Sequence, residues 1–291
     1  MSMNNFKVTE YTLDQQNTMR TAFLTAFPKI FTDIPYANDI FSETIRLANN
    51  WRFSFQPEQF VAKLAVELEA RHRALSCTVR EQVNKIGDCL IIELGVGLSP
   101  RRLEFKDISY IEVDYPPMVE IKSKIYEKLG FSVKSGELIG ADLTSIKDLD
   151  YIIKSISILK PDCPVIIVSE GLFWYLTRDN MLTLSKFVHS TLSSRSGLWI
   201  TGDCPPKIDI YKNDKYRNVI AESSSRKIDE PFGSLSEFVD FFISLGFNIN
   251  STKMEQWVKT DEIVSASLFS LAPETTLNRM RAYTDIAVLS V

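Results

Sequence analysis

The chain has 291 residues, about two domains on a scale of ~150 residues each, or one large α/β core. Apolar residues make up 45% and charged residues 24%, which excludes disordered and fibrous classes. Its net charge of −4 comes with only two histidines, His72 and His189, so a basic nucleic-acid face and a histidine-built metal centre are both excluded.

The N-terminal residues Met1 to Asn17 are polar and carry no cationic stretch followed by an apolar run, so no secretory signal is read there. From Thr18 to about Glu81 apolar residues return every three or four positions, the pattern of a helical cap. Trp51, Phe53 and Phe55 interrupt it as an aromatic connection, and Pro57 followed by Glu58 reads as a helix start. From Asp88 onward short apolar runs alternate with helical patterns, the signature of βαβ units around a mostly parallel sheet. The spacing predicts strands at Cys89–Leu94, Ser109–Val113, Leu138–Gly140, Val165–Ser169, Leu198–Thr201, Phe247–Met254 and Ile286–Val291. Helices are predicted at Pro117–Leu129, Ile146–Leu159, Arg178–Leu192 and Leu235–Leu245, the last stopped by Gly246. The polar stretch Pro205–Phe232 is long enough to be a lid or a disordered loop. The expected architecture is a Rossmann-like α/β fold: a seven-stranded, mostly parallel sheet with helices on both faces. Residues 1–85 form the cap and 86–291 the sheet domain. The cysteines, Cys77, Cys89, Cys163 and Cys204, are far apart and read as reduced thiols. No apolar segment approaches the ~20 residues of a membrane span, so a cytoplasmic location is expected, with neither membrane nor nucleic acid as partner.

The first strand runs into Gly95-Val96-Gly97, a GxG turn that brings backbone close to a ligand. About 20 residues after Gly95, the next strand ends in Asp114, placed to accept both hydroxyl protons of a ribose. A nucleoside-containing ligand is implied. A dinucleotide fingerprint wants glycine at position 100, where this chain has Pro100, which favours a ligand without phosphate such as S-adenosyl-L-methionine over NAD. Asp142, Glu170 and Asp203 also follow predicted strands, with Asp203 the weakest candidate of the three.

On the helix Phe60–Val79 the large apolar residues Phe60, Val61, Leu64, Leu68, Leu75 and Val79 form one stripe. At about 100° per residue, Arg71 lies about 40° from the centre of that stripe, His72 about 60° and Arg73 about 160°. Arg71 thus faces inward and Arg73 outward. An inward guanidinium needs a carboxylate, either Glu93 or one carried by a ligand.

Taken in order, Arg71-His72-Arg73-Ala74, Glu93 to Arg101, Tyr110-Ile111-Glu112-Val113-Asp114-Tyr115-Pro116, Ala141-Asp142-Leu143 and Glu170 to Leu176 resemble the leucine carboxyl methyltransferase family, including its bacterial polyketide-type O-methyltransferases. The resemblance runs from about Thr21-Ala22 to Leu176 and fades beyond. It implies a class I S-adenosylmethionine-dependent methyltransferase with a helical cap. It also implies that Arg71 binds the methionine carboxylate, that Gly95 underlies the methionine portion, with Gly97 also at the cofactor, and that Asp114 holds the ribose. Asp142 and Leu143 would line the adenine, and Glu170 would meet the methionine amino group. Ser99-Pro100 departs from the Asp-Thr that many relatives carry ahead of the arginine.

The expected activity is O-methyl transfer to a carboxylate or hydroxyl of a small molecule. Trp174, Tyr175 and Tyr211 are candidates for the acceptor side, with no metal and no assigned catalytic base. A carboxylate acceptor is already ionised at neutral pH, whereas a phenol with a pKa near ~10 gains from a base. His189 falls on a solvated or packing face, and His72 lies at the edge of the stripe. The alternatives are a non-catalytic protein that binds S-adenosylmethionine or a partner on the same scaffold, and an NAD-dependent oxidoreductase. The acceptor and the oligomeric state are left open by the sequence.

Overall fold

The central strands are apolar at consecutive positions, so both faces of the sheet must be covered. The computed structural model describes residues 13–47, 58–160, 162–205, 232–253, 256–282 and 285–291. Its strands are β1 (Leu90–Leu94), β2 (Ser109–Asp114), β3 (Leu138–Gly140), β4 (Val165–Ser169), β5 (Leu198–Thr201), β6 (Asn248–Lys253) and β7 (Asp285–Ser290). They form one sheet in the order β3-β2-β1-β4-β5-β7-β6. Neighbours are parallel except β7, which runs antiparallel to both β5 and β6. This is the seven-stranded, mostly parallel sheet that the sequence predicts, with ends shifted by a residue or two.

The two-residue period of the strands separates the layers. Leu90, Ile92 and Leu94, with Val165 and Ile167, pack toward α6 (Ile146–Leu159), α7 (Arg178–Arg195) and α8 (Leu235–Ser244). Ile91, Ile166, Val168 and Ile200 pack toward α3 (Glu58–Ile86). A third cluster joins α1 (Leu13–Lys29), α2 (Ala37–Leu47), the short α4 (Arg101–Glu104) and α5 (Pro116–Lys128) through Phe23, Ile40, Leu103 and Ile121. The helices on the α6 side start where the sequence supplies a cap: Ser145, Thr177 and Ser234 each accept the backbone N–H three residues on.

Helix α3 departs from the single-stripe expectation. It is buried around most of its circumference from Val61 to Val79, packed against α1 and the strands β4, β5 and β7. Its other neighbours are α9 (Val264–Leu268) and α10 (Pro273–Ala282). Its second buried face includes Ala62, Ala65, Ala70 and Ala74, whose small side chains admit close approach and escape a reading based on large apolar residues. The segment between Met254 and Ile286, for which no element is predicted, holds a 3-10 turn at Thr260–Glu262 as well as α9 and α10. These pieces are short or polar, and contacts with α3 hold them. The buried Glu69 carboxylate accepts the backbone N–H groups of Val264 and Ser265, both at 2.9 Å, and the Ser265 hydroxyl at 2.6 Å. The aromatic connection Trp51, Phe53 and Phe55 and residues 206–231, Tyr211 included, lie outside the described residues.

Candidate active site

The chain reverses direction across the sheet between β1 and β4, which opens a crevice at the carboxyl ends of the strands. The loop after β1 enters it as a tight turn, with the Gly95 N–H donating to the Val113 carbonyl at 2.9 Å. Gly95 has φ +65°, the left-handed region that favours glycine, and a Cβ there would lie 2.8 Å from Leu172 Cδ1, so that side chain would have to shift. The Gly97 N–H donates to Asp114 Oδ2 at 2.7 Å, and the Tyr115 N–H donates to Oδ1, also at 2.7 Å. Asp114 thus stands at the end of β2 with each oxygen fixed by backbone and a further acceptor position on each. Burial pushes its carboxyl pKa up, and the two N–H donors work against that rise.

One cavity is lined by Arg71, Gly95, Gly97, Asp114, Asp142, Leu143 and Glu170, every residue predicted for the cofactor, and by Tyr175. Asp142, after β3, turns its Oδ1 to the Thr144 N–H at 2.8 Å and the Thr144 hydroxyl at 2.7 Å, beside the buried Leu143. Helix α1 covers the cavity with Ala22, Thr25, Ala26 and Lys29.

The methionine end predicted from the sequence is densely charged. Arg71 faces inward as expected, but its guanidinium meets Glu170 Oε1 at 3.1 Å in place of Glu93. Gly202, at the end of β5, leaves room for it: a Cβ there would lie 3.1 Å from Arg71 Cγ. Arg101 pairs with Glu93, one of the two partners left open for Arg71, and also donates to Glu170 Oε2 at 2.5 Å. Burial works to raise the carboxyl pKa of Glu170, but the charges of Lys29, Arg101 and Arg71 hold it well below the usual range. Lys29 is buried, which lowers its own pKa. Neither Lys29 nor Arg101 was predicted for the site. The available signals were a lysine inside the apolar run Ala26-Phe27-Pro28-Lys29-Ile30-Phe31, and the position of Arg101 at the end of the glycine loop that enters the core.

Other candidates fall elsewhere. Trp174 does not line the cavity, because the 3-10 turn Phe173–Tyr175 places successive side chains about 120° apart. Phe173 packs on Trp199 in the core, Tyr175 reaches the cavity, and Trp174 takes the remaining direction. Asp203 does not line the cavity either. It accepts the Gly171 and Leu172 N–H groups, fixing the turn that follows Glu170. His72 is buried behind the wall, His189 packs edge-on against Phe247, and Arg73 is half-buried between Asp33 and Glu69 where exposure is predicted.

The family model described as leucine carboxyl methyltransferase matches residues 21–189, more than half of the chain. The chain belongs to this family. The match extends past Leu176 into α7. No curated protein matches the chain by sequence. Among solved structures, a candidate methyltransferase from Thermobifida fusca YX is 12% identical with a TM-score of 0.51, covering 91% of this chain and 93% of that one. A DUF574-family protein from Streptomyces avermitilis is 14% identical with a TM-score of 0.50, covering 91% and 96%. This member of the leucine carboxyl methyltransferase family therefore has the methyltransferase α/β fold across most of its length.

The site fits S-adenosylmethionine better than a dinucleotide. Pyrophosphate needs free backbone N–H groups at the start of the following helix. Here that helix has four residues, Pro100 has no N–H, the Arg101 N–H goes to Ser99 Oγ at 3.3 Å, and the Gly97 N–H is held by Asp114. Acceptors for a diol and for an ammonium are present at Asp114 and Glu170.

Proposed function

We propose that this chain is an S-adenosylmethionine-dependent O-methyltransferase acting on a carboxylate or hydroxyl of a small molecule. The observation that carries the reading is the convergence of Asp114, Asp142 and Glu170, from the ends of β2, β3 and β4, with Arg71 on one covered cavity. In this reading Asp114 accepts the ribose hydroxyls, Asp142 and Leu143 border the adenine, and Glu170 accepts the ammonium. Arg71 and Lys29 attract the carboxylate of the methionine tail. When bound, the cofactor supplies an electrophilic methyl group on a sulfonium.

The chain's own tasks are alignment and exclusion of water. Helix α1 and Leu68 of α3 close the cavity on one side, and Leu172 and Leu176 supply apolar wall. Burial pushes the Tyr175 hydroxyl up to about 12, and it bonds to Thr21, so at neutral pH it stays protonated and orients without taking a proton. His72 is engaged behind the wall and does not reach the acceptor side. A carboxylate acceptor, already ionised at neutral pH, suits such a site.

The test is a screen of small acids and phenols with a labelled methyl donor, beside calorimetric titration of S-adenosylmethionine. Micromolar binding and a methylated product are expected. Binding without any methylated product from a metabolite extract would favour the non-catalytic alternative, and binding of NADH in its place would overturn the cofactor assignment.

A further inference from the structure

Behind the cavity wall lies a polar cluster that meets the cavity only through Glu93, Ser99 and Glu170. Arg101 is fully buried, with 0% relative exposure, and is absent from the lining. Its guanidinium nevertheless reaches three elements. One terminal nitrogen bonds to Glu93 at the end of β1. The other bonds to Glu170 Oε2 at 2.5 Å and to His72 Nδ1 of α3 at 3.2 Å. Nε donates to Ser76 Oγ, also on α3, at 3.3 Å.

The imidazole has a defined role. Arg101 can only donate, so His72 Nδ1 must accept, and the ring proton therefore sits on Nε2 and goes to Glu104 Oε1 at 2.5 Å. Burial, followed by the Arg101 charge, pushes the imidazole pKa down and keeps the ring neutral. Glu93 is occupied by its own donors: Ser99 Oγ at 3.1 Å and Arg101 on Oε1, and the Tyr110 hydroxyl on Oε2 at 2.7 Å. Glu170 differs. Each of its oxygens takes one guanidinium donor, Arg71 on Oε1 and Arg101 on Oε2, and each keeps a second acceptor position. The carboxylate is thus gripped at both oxygens while its outer edge lines the cavity.

We propose that Arg101, held in orientation by His72 and Glu104, is a positioning residue that sets the direction of the Glu170 carboxylate toward the ammonium of the bound cofactor. This rests on the S-adenosylmethionine reading of the cavity. Lysine cannot replace the arginine, because a single ammonium lacks the planar fork that spans Glu93, Glu170 and His72 together.

The experiment compares two ligands by calorimetry. S-adenosylhomocysteine carries the amino-acid tail, whereas 5′-methylthioadenosine has the same adenosine and no tail. In Arg101→Lys, affinity for S-adenosylhomocysteine is expected to fall about tenfold or more, the scale of one charged hydrogen bond, while affinity for 5′-methylthioadenosine stays within about twofold. His72→Leu, which removes the acceptor that Nδ1 offers to Arg101, is expected to give the same selective loss at about threefold, and serves if the arginine variant does not fold. Asp114→Ala is the contrasting control, losing both ligands. An equal loss of both ligands in the Arg101 and His72 variants, or no loss of S-adenosylhomocysteine, overturns the positioning role. If the unmodified chain binds neither ligand, the cofactor reading itself is overturned and the positioning role with it.

Discussion

Asp114 and Glu170 are both acids that close parallel strands and line the same cavity, yet the protein holds them by opposite means. Asp114 is fixed by backbone, through the N–H groups of Gly97 and Tyr115. Glu170 is fixed by guanidinium groups, through Arg71 and Arg101. Burial pushes the Asp114 carboxyl up, whereas at Glu170 the surrounding cations outweigh burial and pull it well down. Neutral dipoles orient an acid without fully offsetting its desolvation, and full charges do both. The Asp114 end of the site is thus built for geometry, and the Glu170 end for charge.

The largest test of this contrast removes the backbone-held acid. Asp114→Ala should weaken both S-adenosylhomocysteine and 5′-methylthioadenosine by about 100-fold or more in calorimetry, since two charged hydrogen bonds to the diol go at once. Retention of either ligand at near-native affinity would remove Asp114 from the ribose site. Next in size is Gly95→Ala. The added Cβ collides with Leu172 at 2.8 Å in a backbone with φ +65°, so a loss of about 1–3 kcal/mol is expected in chemical denaturation, together with weaker cofactor binding. An unchanged midpoint would show that the loop relaxes.

Acid titration separates the two carboxylates. The raised pKa of Asp114 gives stability below its unfolded value of ~3.9, and this is lost as pH rises through the folded value. The depressed pKa of Glu170 gives stability above its unfolded value of ~4.3, lost only as pH falls through a folded value well below that. On acidification, affinity for both ligands should therefore weaken first as Asp114 protonates above ~3.9 while Glu170 is still ionised, and the further loss at lower pH should be confined to S-adenosylhomocysteine. Asp114→Asn should flatten that profile, and an unaltered profile in the variant would assign the titration to another group. The smallest effect is expected from Tyr175→Phe, which removes one hydroxyl hydrogen bond to α1 worth about 1 kcal/mol. Methyl transfer should stay within about threefold. A fall of two orders of magnitude would give the hydroxyl a part in the chemistry.

The fold was legible from Asp88 onward because buried parallel strands are short apolar runs, and the caps Ser145, Thr177 and Ser234 are local signals. The stretch from Met254 to Ile286 was not, since α9 is held by Glu69, about 195 residues earlier in the chain, and α10 meets Glu67 through Arg279. Within the site, residues that follow a strand directly were readable: Gly95, Gly97, Asp114, Asp142 and Glu170 take their place from the strand before them. The direction of Trp174 was not readable, because a 3-10 turn, with its 120° step, leaves no periodic trace in three residues.

The sequence by itself determined the sheet, the glycine turn and the acids at its edge, because each is encoded within one strand and the few residues after it. Only the tertiary structure decided the pairing of the charges. Arg71, Arg101 and Lys29 come from α3, α4 and α1, and their competition for Glu93 and Glu170 is settled by reach and burial across elements far apart in sequence. A buried guanidinium must find a carboxylate, which a sequence makes plain, but which carboxylate it finds depends on how the helices pack.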